Sequence, residues 1–115
     1  MQTLSLREKQ SLFAFNISKL IEYIYSLNMS VTFGEAYRTP EQARLDAQEG
    51  IGIINSLHCV RLAIDLNLFD AQGNYIATMC PDYQKIGDYW KSLNSENNWG
   101  GDFKRIDLNH FEMVE

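Results

Sequence analysis

Apolar residues recur with helical spacing along the first part of the chain. Leu12 or Phe13, Ile17, Leu20, Ile21, Ile24 and Leu27 fall on one side, and Arg7, Lys9, Lys19 and Glu22 lie mostly off it. Ser5-Leu6-Arg7-Glu8 in front of this stripe reads as a capping box, so the spacing predicts a helix to about Ser26 or Leu27, ended by Asn28. The period then changes. Val31 to Ala36 is short, β-branched and alternating, which predicts a strand. Thr39-Pro40-Glu41-Gln42 is a second helix start, with Thr39 as cap and Pro40 where no donor is lost; that helix should run to about Gln48 and stop at Gly50 and Gly52. Residues 50–55 read as a loop or short extended link, and Leu62 to Phe69 is the strongest strand of the chain. Asp70 to Asn74 is a hairpin-type turn, with Tyr75 to Thr78 as its returning strand. Ile86, Tyr89, Trp90 and Leu93 predict a third helix over Asp82 to about Asn94, a polar loop follows to Asp102, and Ile106 to Met113 closes as a strand. These elements predict one α+β domain over residues 1–115, a small antiparallel sheet with two to four flanking helices.

Composition narrows the function classes. With 45% hydrophobic and 12% aromatic residues the chain should fold, and a net charge of −5 argues against a nucleic-acid partner. Two cysteines, Cys59 and Cys80, are too few for a disulfide framework. The first ten residues show no cationic flank before an apolar core, so no signal peptide is expected, and no apolar run reaches membrane-spanning length. No stable membrane association is expected.

One residue breaks the pattern. Asp65 sits in a strand flanked by Ala63, Ile64, Leu66 and Leu68, where an unpaired charge is costly. It accepts backbone or arginine hydrogen bonds there, or it shares a metal with His58, seven positions earlier. The second histidine, His110, follows Asp107 by three residues. Two histidines and a carboxylate are a standard ligand set for catalytic zinc, which also needs a base nearby. Parity opposes it: positions 58 and 65 would face opposite sides of an ideal strand, so the chain must turn or bulge between them.

Taken together, Ser56-x-His58, Ala63-x-Asp65, Trp99-Gly100-Gly101-Asp102-Phe103 and Asp107-x-x-His110-Phe111-Glu112 resemble the zinc peptidoglycan peptidases. That family holds the vancomycin-resistance-type D,D-carboxypeptidases and the L-alanyl-D-glutamate endopeptidases that serve as bacteriophage endolysins. Tyr37-Arg38-Thr39-Pro40-Glu41-Gln42 occupies the place of a further upstream motif, and the likeness spans about Val31 to Glu112.

The resemblance implies a Hedgehog/D-Ala-D-Ala-peptidase-like fold, with zinc held by His58, Asp65 and His110. It implies Asp107 as catalytic acid/base and Arg38 as the cation that stabilises a substrate carboxylate or the developing oxyanion. Ser56 and Trp99 would line the substrate site, Trp99 alternatively supporting the last strand from behind. For Arg38 the bland reading is an ion pair with Glu35, Glu41 or Asp46; for Ser56 it is a cap or turn; Cys59 reads as a core thiol. Asp102 and Glu112 are carboxylates that compete with Asp107 for the base role. Three positions depart from the family pattern: Arg61 stands where glycine is usual, Asn98 where an acid is common, and Asn109 where an aromatic or other residue is common. The activity implied is hydrolysis of a peptidoglycan stem peptide by a monomeric phage or prophage endolysin, made in the host cytoplasm and released to the periplasm or cell wall with the help of a holin. A D,D-carboxypeptidase and a catalytically silent zinc module that binds wall peptides are the competing readings.

Overall fold

The computed structural model describes residues 3–50 and 56–115; the link expected at 50–55 lies, from residue 51 on, outside the described residues. Three helices pack beside a four-stranded antiparallel sheet. In chain order these are α1 (Leu6–Ser26), β1 (Ser30–Phe33), α2 (Pro40–Gln48), a 3-10 turn (Leu57–Val60), β2 (Ala63–Phe69), α3 (Pro81–Leu93), β3 (Asn97–Trp99), a second 3-10 turn (Gly100–Asp102) and β4 (His110–Met113). The sheet order is β1-β2-β4-β3.

The first helix forms as its sequence dictates. Both halves of the Ser5/Glu8 capping box are made, and Phe13, Ile17, Leu20 and Ile24 are its buried apolar stripe. Asn28, just past the end, takes a positive φ of 63°. Thr39 caps α2 by accepting from the Gln42 amide at 3.0 Å, and only Ala43 of that helix is fully buried.

The core lies between α1, α3 and one face of the sheet. Ile64, Leu66 and Leu68 of β2 point into it with Phe111 and Met113 of β4, Trp90 of α3 and Trp99 of β3. The opposite pleat of β2 carries Asp65 and Asn67 away from that core. Trp99 is wholly buried between two glycines: a Cβ on Gly87 would lie 2.2 Å from its ring, and one on Gly101 would lie 2.3 Å away. Both glycines exist here because the indole takes the space of a side chain.

Three sequence expectations require correction. Tyr75 to Thr78 is not a strand: it makes one bridge, Phe69 to Tyr75, and one bond from the Ile76 amide to the Leu68 carbonyl. The reason is competition for one edge. The groups of Ile64, Leu66 and Leu68 that face away from β1 are the only ones open on that side, and β4 and Asn109 already occupy the first of them. Conversely the expected loop after Asn94 contains β3. Its polar sequence hides a strand because Asn97, almost fully buried, spends its side-chain amide on the Trp90 carbonyl at 3.0 Å. The last strand begins at His110 and not Ile106, since Asp107 to His110 is a tight turn closed by an amide-to-carbonyl bond of 3.1 Å.

The Arg61 departure has a local cause. Arg61 ends the first 3-10 turn in the left-handed region, φ 56° and ψ 37°, where glycine is at ease and an arginine is mildly strained. Its guanidinium lies 4.0 Å over the Tyr37 ring, which offsets part of that cost. Arg61→Gly should therefore stay within about 1 kcal/mol of wild type, whereas Arg61→Val should lose roughly 1–3 kcal/mol, both read from urea unfolding midpoints. Gly87→Ala should lose roughly 1–3 kcal/mol or more in the same measurement, because the added methyl meets the buried Trp99 ring.

Candidate metal centre

The parity problem is solved by the 3-10 turn. His58 does not stand on β2; it stands on the turn before it, where its own amide donates to the Ser56 hydroxyl. The left-handed Arg61 then reverses the chain, and the Leu62 amide bonds back to the Leu57 carbonyl at 3.0 Å. His58 is thereby folded against the outer face of β2. Its carbonyl also accepts from the Arg38 amide at 3.2 Å, fixing the strand-to-helix junction beside it.

Asp65 and His110 meet by sheet register. They are direct cross-strand partners on β2 and β4, so pleat alone puts both side chains on one face. His58 Nε2 lies 3.5 Å from Asp65 Oδ1, and His110 Nδ1 lies 3.4 Å from the same oxygen. One ligand atom from each residue falls within 4.8 Å of the others. Both histidines are buried, and Asp65 is largely so.

These distances fit a metal better than they fit hydrogen bonds. Asp65 Oδ1 has no hydrogen-bond partner among the described residues although it is buried. Four ligands at about 2.0–2.1 Å from a tetrahedral ion sit about 3.3–3.4 Å from one another, close to both separations seen here. Two imidazole nitrogens and one carboxylate oxygen are also the donor types that zinc takes in open catalytic sites. Charge also ties the three side chains to one another. Burial works against ionising Asp65, yet the two imidazoles outweigh it and bring its carboxyl down to about 2. Burial likewise opposes charging His110, and Asp65 and Glu112 outweigh it, raising that imidazole to about 9.

The carboxylates around the centre are separated by their partners. Asp102 is taken by Lys91 at 2.6 Å, and Glu112 Oε1 contacts His110 Nε2 at 2.7 Å, on the far side of the ring. Asp107 is half exposed, with Oδ2 4.0 Å from His110 Nδ1, the ring atom that faces Asp65. Gly100 sets it there. The Asp107 amide donates to the Gly100 carbonyl at 2.9 Å, and a Cβ on Gly100 would come 2.0 Å from the Asp107 carbonyl. Beside Asp107 opens a cleft of ≈ 390 Å³ lined by Tyr75, Ile76, Tyr83, Ile106 and Asn109 among others. Asn109 is tied to Asn67 by a 3.0 Å side-chain bond.

The remaining candidates are placed less directly. Arg38 pairs with Glu35 at 2.5 Å and lies 3.8 Å from Asp46, two of the partners its bland reading named, while Glu41 turns to Arg44. Ser56 is buried with its hydroxyl engaged as a cap. Trp99 has no exposed surface and donates to the Leu108 carbonyl at 2.8 Å, so it backs the final turn and strand and does not reach the cleft. Cys59 is half-buried against the Thr39 carbonyl, not in the core, and both cysteines are free thiols. Glu35, which sequence reasoning missed as a site residue, lies 3.6 Å from His58 Nδ1. Glu112 carried a usable signal, since residues two apart on a strand share a face.

A family model described as D-alanyl-D-alanine carboxypeptidase matches residues 50–113. The fold is similar to that of the Serratia marcescens L-Ala D-Glu endopeptidase ChiX, with a TM-score of 0.71 at 20% sequence identity, covering 89% of this chain and 77% of that one. No curated protein sequence matches the chain. The family match takes in His58, Asp65, Asp107 and His110 and more than half of the residues, and on it the chain belongs to the M15 family of zinc peptidoglycan peptidases.

Proposed function

We propose that this chain hydrolyses an amide bond in the peptide stem of peptidoglycan, as an L-alanyl-D-glutamate endopeptidase serving as a phage or prophage endolysin. The observation that carries the reading is the convergence of His58 Nε2 and His110 Nδ1 on Asp65 Oδ1 at 3.5 and 3.4 Å, all three within 4.8 Å of one another, with the exposed Asp107 carboxylate beside them. The likeness of fold to an L-Ala D-Glu endopeptidase supports the choice of bond.

In this reading His58, Asp65 and His110 hold Zn2+. Zinc, when bound, supplies polarisation of the scissile carbonyl and acidification of a water molecule. Asp107 takes the proton of the attacking water and delivers it to the departing amine, a role that requires an accessible carboxylate on the substrate side. The cleft between Tyr75–Ala77 and Ile106–Asn109 receives the stem peptide. Arg38, held by Glu35, acts from beside His58 and reaches the oxyanion or a substrate carboxylate only if it leaves that pair. In the lytic role the enzyme is made in the host cytoplasm as a monomer, and a partner such as a holin gives it access to the wall.

A second reading is favoured by one observation. The matching family model is described by the D-alanyl-D-alanine carboxypeptidase activity, which releases a terminal residue and does not cut within the stem. Digestion of purified peptidoglycan, with fragments identified by mass, separates the two. Wild type should expose new L-alanine carboxyl ends; released D-alanine would instead establish the carboxypeptidase. Asp107→Ala should retain zinc and lose about 10²–10⁴-fold in kcat, while His110→Ala should lose both metal and activity. Absence of any zinc-dependent product would overturn both enzyme readings and leave a silent wall-peptide-binding module.

A further inference from the structure

The two imidazoles of the centre are turned opposite ways. His58 directs Nε2 at Asp65 and Nδ1 at Glu35, whereas His110 directs Nδ1 at Asp65 and Nε2 at Glu112. A neutral imidazole has one N–H and one lone pair, so the nitrogen that faces a cation must be the bare one. Each ring therefore has to carry its proton on the outward nitrogen, and in each case a carboxylate stands there.

The two outward partners are built differently. Glu112 is two residues along β4 from His110, on the same pleat, and its side chain is mostly buried. Its backbone is fixed by pairing with Ala63 and by the Trp90 indole, which donates to its carbonyl at 3.2 Å. Glu35 follows β1; its carbonyl accepts from the Asp65 amide at 2.9 Å, and its carboxylate is gripped by Arg38. At 3.6 Å it does not yet hydrogen-bond His58, whose buried Nδ1 has no hydrogen-bond partner among the described residues. The chain thus holds His110 tightly and His58 loosely.

We propose that Glu112 and Glu35 are positioning residues that fix the two metal-binding histidines in opposite tautomers, His110 as Nε2–H and His58 as Nδ1–H, with Glu112 the stronger of the two. The inference rests on the metal-centre reading given under Proposed function. It also gives Arg38 work independent of substrate, since Arg38 anchors the carboxylate that orients His58. A carboxylate on the outer nitrogen raises the donor strength of the ligand and freezes ring rotation, and losing such a partner weakens metal affinity by about 10–100-fold.

The test is a zinc competition titration with a chromophoric chelator on the full chain, together with two-bond ¹⁵N–¹H spectra of the zinc-loaded protein labelled at histidine. Glu112→Ala should raise the zinc Kd by about 10–100-fold, Glu35→Ala by less, and Glu112→Gln, which keeps an acceptor oxygen and the side-chain shape, by an intermediate amount. The spectra should show Nε2–H for His110 and Nδ1–H for His58. Should Glu112→Ala fail to fold, Glu112→Gln carries the same comparison. Zinc Kd values within twofold of a zinc-binding wild type for both Glu112 variants, or one shared tautomer, would overturn this inference alone. Failure of wild type to bind zinc would overturn the metal-centre reading and this inference with it.

Discussion

The structure is arranged around a buried negative charge. Asp65 occupies a central strand whose neighbours are apolar, and an unpaired carboxylate there would cost several kcal/mol. Two imidazoles meet it from different parts of the chain, one brought by sheet register and one by a 3-10 turn. The pairing of β2 with β4 is therefore not only a hydrogen-bonded ladder. It places His110 directly across from the charge, and the turn ending at Arg61 folds His58 onto it from the other side.

Around that charge the acidic side chains take distinct parts according to what each one touches. Asp65 faces both rings, Glu112 and Glu35 face their outward nitrogens, Asp102 is neutralised by Lys91, and Asp107 is left accessible beside the cleft. Residue type alone cannot make that assignment, since all are carboxylates within reach of the same motif. Neighbours make it. The tight turn from Asp107 to His110 keeps those two side chains adjacent, and Gly100 permits the backbone approach that holds the turn in place.

Much of this was legible in the sequence, for physical reasons that differ by element. The capped, striped α1 and the apolar β2 announce themselves because their periods are set by burial on one side. The ordered motifs pointed to the histidines and Asp65 although strand parity argued against them, and the turn that reconciles the two readings ends at the residue that departs from the family pattern. β3 was not legible: apart from Trp99 at its end, it is held by pairing with β4 and by a buried asparagine amide, and these leave no alternating apolar pattern. Nor could the returning strand after Gly73 be rejected locally, because what displaces it is β4, far along the chain. Trp99 had two readings in sequence, pocket lining or support for the last strand, and its full burial against Gly87 and Gly101 favours the support.

Both outermost strands are short, four residues in β1 and three in β3. Exposed strand edges are templates on which other chains can add, and length is what such templates need. On β1 the Val31 amide is further taken up by the Tyr25 hydroxyl at 3.4 Å, so even this edge offers less than its full row of donors. The sheet is thus wide enough to bring Asp65 and His110 together at its centre and offers too little edge at its rims to seed stacking between copies.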